Sequence, residues 1–271
     1  MKRITKIFGF VILLLFIQSS VNSSNPIKEL VINADNDIKV TIIYDNYCFK
    51  EGLKSNWGFS CLIEGPEKTI LFDTGAKSKI FIENFNKLNI DAKNIDAVVL
   101  SHDHNDHIGG LPTYLELNKN VSVYIIKSFP DKIKEMIKGA GAEIVYEPAI
   151  KEICKNVYLS GTLGTQIEEQ SLAIDTPNGL VVITGCSHPG IIEILKHFKS
   201  ALNKEVYMVF GGFHLMQLSE VEINSIATEM KKLGVKKCGA THCTGDKQIE
   251  LFKKAFGDNY VQMGVGNIVE F

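Results

Sequence analysis

The chain has 271 residues, of which 45% are hydrophobic and 22% charged, and its formal net charge is −2. This length and apolar content are enough for a large core within one domain, and the charge argues against a nucleic-acid partner. The sequence shows no internal repeat, low-complexity tract or linker rich in Pro, Gly and Ser, so it predicts no second domain boundary.

The first residues have the pattern of a secretory signal peptide. Lys2, Arg3 and Lys6 precede an apolar run at 7–17, and small and polar residues follow. This order predicts a signal peptide over 1–23 and an exported mature chain, periplasmic or extracellular, with one domain at 27–271. The alternative is an uncleaved leader that anchors the chain in a membrane, although the apolar run is short for a span. Without its basic leader, the chain's net charge falls from −2 to −5.

Strand and helix patterns alternate along the first half of the mature chain. β-Rich apolar runs predict strands at 39–44, 59–64, 69–72, 97–100, 121–126 and 143–146. Apolar residues at helical spacing predict a helix at 77–88, and Pro130 in a first turn predicts another over 130–138. A further helix is expected to begin near Gly109.

The second half repeats this alternation. Strands are predicted at 172–175, 180–184, 205–210 and 236–240, and helices at 191–198, 219–233 and 245–256. The turn at 176–179 predicts a hairpin, and Ser219 with Glu222 forms a capping box. The pattern predicts an α/β protein with two sheets packed face to face and helices outside, a four-layer αββα sandwich.

The stretch SHDHNDHIGG at 101–110 follows the predicted strand at 97–100. Residues two apart in extended or turning backbone point the same way, so His102 and His104 form a first pair that can hold one ion. Asp106 and His107 form a second pair on the far side of the turn. Imidazole and carboxylate ligands suit Zn²⁺, and Mn²⁺ or Fe²⁺ by ligand type. The sequence therefore predicts a site for one or two metal ions.

Three later strands also end in a His. His188, His214 and His242 follow the strands predicted at 180–184, 205–210 and 236–240, each among small residues that let the backbone approach a ligand. One such His would more often be structural. Three in succession favour a shared functional site.

These motifs resemble the metallo-β-lactamase superfamily. The similarity covers about 38–271 and is carried by the DN pair at 45–46, WGFSCLIE at 57–64, FDTG at 72–75, SHDHNDHIGGL at 101–111, TGCSHPGI at 184–191, GGFHL at 211–215 and THCTG at 241–245. Together they resemble the branch that includes the archaeal dihydropterin–ribofuranosylaminobenzene 5′-phosphate synthases. The resemblance implies the same αββα fold and a metal-dependent reaction.

The resemblance also implies roles for the site residues. His188 would join the first pair as a metal ligand, and His242 would join the second pair. Asp73 is expected to orient a ligating His rather than to bind metal. His214 is left for proton transfer or for hydrogen bonding to a developing oxyanion.

Cys186 departs from the superfamily pattern, because many members have a metal-bridging Asp at a comparable strand end. Three alternatives follow: Cys186 ligates as a thiolate, water alone bridges the ions, or the second site is weak. A water or hydroxide bridge is our preferred expectation, with Cys186 ranked below it as a ligand. Six cysteines in an exported chain allow disulfides, but Cys186 and Cys243 lie inside motifs and are expected to serve the site or to pack.

The expected chemistry is hydrolysis. Ions held mainly by neutral imidazoles lower the pKa of bound water to about 7 and supply a metal-bound hydroxide, while Asp106 can also accept a proton. A small-molecule ester, lactone, amide or phosphoester is the expected substrate. The alternatives are a transferase of the pterin-related type, with a metal-activated diphosphate leaving group, and a non-catalytic metal- or ligand-binding protein. Segment 46–58, with Tyr47, Phe49 and Trp57, is either a loop over the site or ordinary packing.

Overall fold

Two β-sheets lie face to face in a computed structural model that describes residues 38–65 and 67–271. Their strands, in chain order, are β1 (Lys39–Tyr44), β2 (Ser60–Glu64), β3 (Thr69–Phe72), β4 (Ala97–Val99), β5 (Ser122–Tyr124), β6 (Glu143–Val145), β7 (Lys151–Cys154), β8 (Val157–Leu159), β9 (Leu172–Thr176), β10 (Gly179–Thr184), β11 (Val206–Gly212), β12 (Lys237–Thr241) and β13 (Ile268–Glu270). The predicted signal peptide at 1–23 lies outside the described residues.

The first sheet has the strand order β13-β1-β2-β3-β4-β5-β6, and the second has the order β12-β11-β10-β9-β8-β7. Neighbours from β3 to β6 are parallel, as are β10, β11 and β12. The remaining pairs are antiparallel. Parallel strands bring their carboxyl ends to one edge of each sheet, which is where open α/β sheets carry their sites.

The described part of the chain has seven α-helices, six of which cover the outer faces of the sheets. They are α1 (Ser78–Lys87), α2 (Asn105–Ile108), α3 (Leu111–Leu117), α4 (Asp131–Ala140), α5 (Ile191–Leu202), α6 (Glu220–Lys232) and α7 (Asp246–Phe256). Helices α1, α3 and α4 pack on the first sheet, and α5, α6 and α7 on the second. None of these helices combines the length and apolar character needed to span a membrane.

The central core lies between the sheets, where Phe72 of the first sheet and Phe210 of the second belong to one buried cluster. Alternate residues of each strand point the other way and pack under the helices. The predicted four-layer αββα sandwich is therefore confirmed. The predicted capping box is also present, since the Ser219 side chain accepts from the backbone N–H of Glu222 and the Glu222 side chain accepts from that of Ser219.

Two details of the sequence prediction were wrong. The helix expected near Gly109 begins earlier, at Asn105, and is followed by a second helix from Leu111. Between them, a Cβ on Gly109 would lie 2.1 Å from the carbonyl oxygen of Ala76, so this turn needs glycine to pack against the loop after β3. Strands β7, β8 and β13 were missed by the sequence analysis.

Candidate metal centre

All six His residues of the predicted site lie at one end of the two sheets. The loop after β4 carries His102 and His104, and His107 lies in α2. From the second sheet, His188 follows β10, His214 follows β11 and His242 follows β12. The structure thus brings together side chains from the carboxyl ends of four parallel strands. His197, the seventh His of the chain, lies elsewhere on α5, with its Nε2 atom 2.9 Å from the carbonyl oxygen of Ser160.

Asp73, buried at the end of β3, holds two of these rings in place. Its Oδ2 atom lies 2.7 Å from Nδ1 of His107 and accepts a hydrogen bond from the Ser101 hydroxyl, also at 2.7 Å. Having donated its only proton, the Ser101 hydroxyl accepts from Nδ1 of His102 at 2.9 Å. Both rings are therefore tied back through Nδ1, and their Nε2 atoms face the site.

His242 is oriented in the same way by a different partner. Its Nδ1 atom donates to Oδ1 of Asn46 at 3.0 Å, and Asn46 donates from Nδ2 to the His242 carbonyl oxygen at 3.0 Å. The backbone N–H of Gly58 also donates to Oδ1 of Asn46, which fixes the amide orientation. Nε2 of His242 is thereby left to face the site.

Cys186 lies where these Nε2 atoms converge. Its Sγ atom is 3.2 Å from Nε2 of His107 and 3.5 Å from Nε2 of His242. Oδ2 of Asp106 approaches the same two atoms, at 3.7 Å from His107 and 3.3 Å from His242. These four residues form one candidate group of metal donors, with mutual distances within 4.8 Å.

A second candidate group consists of His102, Cys186 and His188, again with donors within 4.8 Å of one another. His104 adjoins this group, since its Nδ1 atom is 3.0 Å from Nε2 of His102 and its ring centroid is 4.9 Å from that of His188. Nε2 of His188 is buried and has no hydrogen-bond partner. An unpaired buried nitrogen is costly, so its position fits a metal ligand.

Burial and neighbouring charges set the protonation of the donors. Burial, with additional repulsion from the other imidazoles, lowers the pKa of His102 well below its ordinary value and that of His188 to about 4. Both rings are therefore neutral at pH 7, the form that binds metal. Burial also lowers the pKa of His107, but Asp73 outweighs it and raises that pKa to about 9. A metal ion would have to displace a proton from Nε2 of His107.

Asp106 is ionised. Burial alone would raise its pKa, but the hydrogen bond with His242 and the nearby imidazoles lower it well below the ordinary value. Its Oδ2 atom also accepts the indole N–H of Trp57 at 2.8 Å. The Trp57 ring centroid lies 5.1 Å from that of His242, and the side chain is 46% exposed. The segment 46–58 therefore contacts the site at both ends, through Asn46 and Trp57.

Glu169 is a site residue that sequence reasoning missed. It is fully buried, and its carboxylate accepts hydrogen bonds from the backbone N–H groups of Cys186, Ser187 and His188 at 2.8–3.0 Å. These bonds fix the turn that presents Cys186 and His188. Glu169 lies between predicted elements and outside every motif. No local sequence pattern marks it as functional.

Backbone strain concentrates at the same end of the sheets. Asp73, Ser187, His214 and His242 have φ between 50° and 64°, in the left-handed region. The other non-glycine residues with positive φ in the described chain are all Asn, which tolerates this conformation. Strained residues of other types are typical of functional sites, where surrounding contacts hold them in place.

The structure changes how the cysteines rank as candidate metal ligands. All six are free thiols, and all six lie in the described ranges. Cys186 was ranked below a water bridge as a ligand, yet its sulfur belongs to both candidate groups. Cys243 lies beside it, since Cys186, His214 and Cys243 form a third group of donors within 4.8 Å.

A four-layer αββα fold with His and Asp donors at the carboxyl ends of its strands is typical of the metallo-β-lactamase class, and Cys186 is where this chain departs from that pattern. The chain belongs to the metallo-β-lactamase superfamily, whose family model matches residues 58–198. This confirms the family predicted from the motifs.

One of the relatives belongs to the branch predicted from the motifs. The chain is 32% identical to the 7,8-dihydropterin-6-methyl-4-(beta-D-ribofuranosyl)-aminobenzene-5′-phosphate synthase of Methanocaldococcus jannaschii, over 87% of this chain and 97% of that one. It is also similar to the crystal structure of Tm1679, described as a metal-dependent hydrolase of the beta-lactamase superfamily, with 31% identity, a TM-score of 0.73 and coverage of 86% and 98%. YhfI from Bacillus subtilis shares the fold, at 17% identity, a TM-score of 0.63 and coverage of 87% and 100%.

Proposed function

We propose that the protein is a hydrolase that uses one or two divalent metal ions and acts on a small-molecule ester, lactone, amide or phosphoester. The observation that carries this proposal is the convergence of Nε2 atoms from His102, His107 and His242, each ring tied back through Nδ1. Metal-ligating His residues almost always have such a partner on the other ring nitrogen. Zinc suits the imidazole, carboxylate and thiol donors, and Mn²⁺ or Fe²⁺ remain alternatives by ligand type.

Each residue has a proposed task at this centre. His102, His104 and His188 would hold one ion, and Asp106, His107 and His242 the other. Bound ions would polarise the substrate and lower the pKa of a water molecule to about 7. Asp73 and Asn46 keep the rings oriented.

Asp106 and His214 are the proposed catalytic residues. The depressed pKa of Asp106 makes it a weak proton acceptor, so its main task is to hold an ion and to orient the attacking water through its carboxylate. His214 is exposed, its ring centroid is 4.4 Å from that of His188, and a hydrogen bond to Cys243 raises its pKa. It is therefore suited to donate a proton to a leaving group.

The substrate would approach from the side on which His104, His214 and Trp57 are exposed. The Trp57 ring lies next to His242 and offers an apolar surface at the edge of the centre. We propose that segment 46–58 lines the substrate side of the site.

The test is metal content and turnover of the purified protein, compared with His104→Ala. Two equivalents of metal, lost or halved in His104→Ala, together with turnover in an ester, lactone, amide and phosphodiester panel, are the expected result. His197→Ala is the matched control, because it removes a His that lies outside the donor groups. A protein that binds no added metal would contradict the hydrolase. Bound metal without turnover would favour the non-catalytic binding protein.

A second candidate is a transferase whose metals activate a diphosphate leaving group. The observation that favours it is the 32% identity to a relative named as a synthase. We propose that residues 1–23 are a signal peptide, which would separate the two candidates, because an exported enzyme would not meet cytosolic pterin intermediates. N-terminal sequencing of the protein from fractionated cells tests this. A cytoplasmic chain with an intact N-terminus would favour the transferase.

A further inference from the structure

We propose that the Cys186 thiolate bridges the two metal ions of this centre. The inference rests on the proposed function, because it needs a centre that binds two ions. Within the described chain, Cys186 is the residue common to the group of Asp106, His107 and His242 and to the group of His102 and His188. Its sulfur is placed between two sets of nitrogen donors.

The backbone around Cys186 holds the sulfur in that position. Glu169 accepts hydrogen bonds from the N–H groups of Cys186 and the two following residues. On the other side, the Ser187 hydroxyl donates to the carbonyl oxygen of Gly212 at 2.7 Å. A Cβ on Gly185 would lie 2.3 Å from Oγ of Ser101, so β10 ends in close contact with the loop that carries His102. Cys186 is only 3% exposed and has little room to turn away.

The carboxylates of the described site are already engaged elsewhere. Asp73 accepts from Ser101 and His107, and Glu169 accepts from three backbone N–H groups. Asp106 belongs to the group of His107 and His242 but not to that of His102 and His188. No carboxylate in the described chain is therefore placed between the two groups. The sulfur of Cys186 is placed between them, because it belongs to both groups.

Coordination by Cys186 needs loss of a proton from its thiol and no oxidant. On metal binding, the Cys186 thiol would give its proton to solvent, and the thiolate would offer one lone pair to each ion. A coordinating thiol is deprotonated when the ion binds. Thiolate is a soft ligand that favours Zn²⁺ and Co²⁺ over Mn²⁺.

Cys243 provides the matched comparison. It is also 3% exposed, and its Sγ atom lies 3.6 Å from the carbonyl oxygen of Cys186. It shares a donor group only with Cys186 and His214, and it joins neither of the groups that would hold the two ions. Two buried thiols therefore lie side by side, and only one of them is placed to bridge.

The experiment is titration of the metal-free protein with Co²⁺, followed by its near-ultraviolet thiolate-to-cobalt charge-transfer band and by metal stoichiometry. Wild-type protein and Cys243→Ser should bind two equivalents and show the band. Cys186→Ser should lose the band and the second equivalent. Cys186→Asp, which restores a donor able to bridge, should bind two equivalents without the band. Circular dichroism of each metal-free variant verifies the fold.

Four results would overturn the bridge. A band that persists in Cys186→Ser, or that disappears in Cys243→Ser, would assign the metal–sulfur bond to Cys243. Two equivalents of Co²⁺ bound to wild type without any band would leave water as the bridge, and the proposed hydrolase would stand. No Co²⁺ bound to wild type would overturn both the bridge and the proposed function.

Discussion

Replacing Asp73 with Asn tests whether one buried carboxylate orients two metal-ligating His residues. Asp73 has φ of 55°, a conformation that Asn tolerates well, so the variant removes the charge without straining the backbone. The Asn oxygen can still accept from the backbone N–H of Ser101, which now donates to Oδ1 at 2.7 Å. In place of Oδ2, the amide N–H₂ would face the Ser101 hydroxyl and Nδ1 of His107, where two donors meet.

The size of the effect follows from these contacts. Loss of a hydrogen bond to a charged group costs about 1.5–3 kcal/mol, which we expect as lost stability of the metal-free protein at neutral pH. Loss of the partner of a ligating His lowers metal affinity about 10–100-fold. The pKa of His107 should fall, because Asp73 is the main group that raises it.

The fall in pKa gives a signature that simple misfolding would not produce. In wild type, metal binding must displace a proton from His107, whose pKa is about 9, so affinity should increase as pH rises toward 9. In Asp73→Asn this increase should end at lower pH. In the metal-free protein, the His107–Asp73 pair stabilises the fold below about pH 6.5, and this contribution is lost as pH rises through 9.

The assay is competition for Zn²⁺ with a chromophoric chelator across pH, with unfolding in urea measured in parallel. Asp96→Asn is the control. Asp96 is exposed and accepts from the backbone N–H of Thr69, at the end of β3 and β4 that lies away from the site. If Asp73→Asn binds Zn²⁺ as tightly as wild type, with the same pH dependence, the orienting role is refuted.

Three further perturbations follow from single contacts. Trp57→Phe keeps a ring but removes the N–H bonded to Asp106, so a titration should show weaker binding of the second ion with little change in Tm; unchanged affinity would contradict this. Glu169→Gln replaces one acceptor oxygen with a donor and should cost about 1.5–3 kcal/mol in urea unfolding; a loss under 0.5 kcal/mol would argue against it. Burial raises the pKa of Asp45 to about 6, so its ionisation should cost wild type about 2.5 kcal/mol as pH rises from 4 to 7. Thermal melts of Asp45→Asn should lack that loss. If the Tm of both proteins falls equally as pH rises from 4 to 7, the prediction is refuted.

Much of the fold follows from local patterns. Helix α1 was predicted because its apolar residues repeat with a period of 3.6, helix α6 from its capping box, and the buried strands from β-rich apolar runs. The start of the helices around Gly109 was mispredicted, because the constraint there is the carbonyl oxygen of Ala76, which belongs to another loop. Such a contact leaves no trace in local periodicity.

The sequence by itself determined the layered architecture, the cluster of donors at 102–107 and the His residues at three later strand ends, because each of these is written within a few consecutive residues. Only the tertiary structure decided how the donors are held. The hydrogen bonds that hold them join residues far apart in the sequence: Asn46 and His242 are separated by 196 positions, Glu169 and Cys186 by 17, and Asp73 and His107 by 34. These contacts depend on strand order and on how the two sheets pack. A buried carboxylate or thiol acquires its role from the neighbours that packing supplies, and residue type alone does not specify those neighbours.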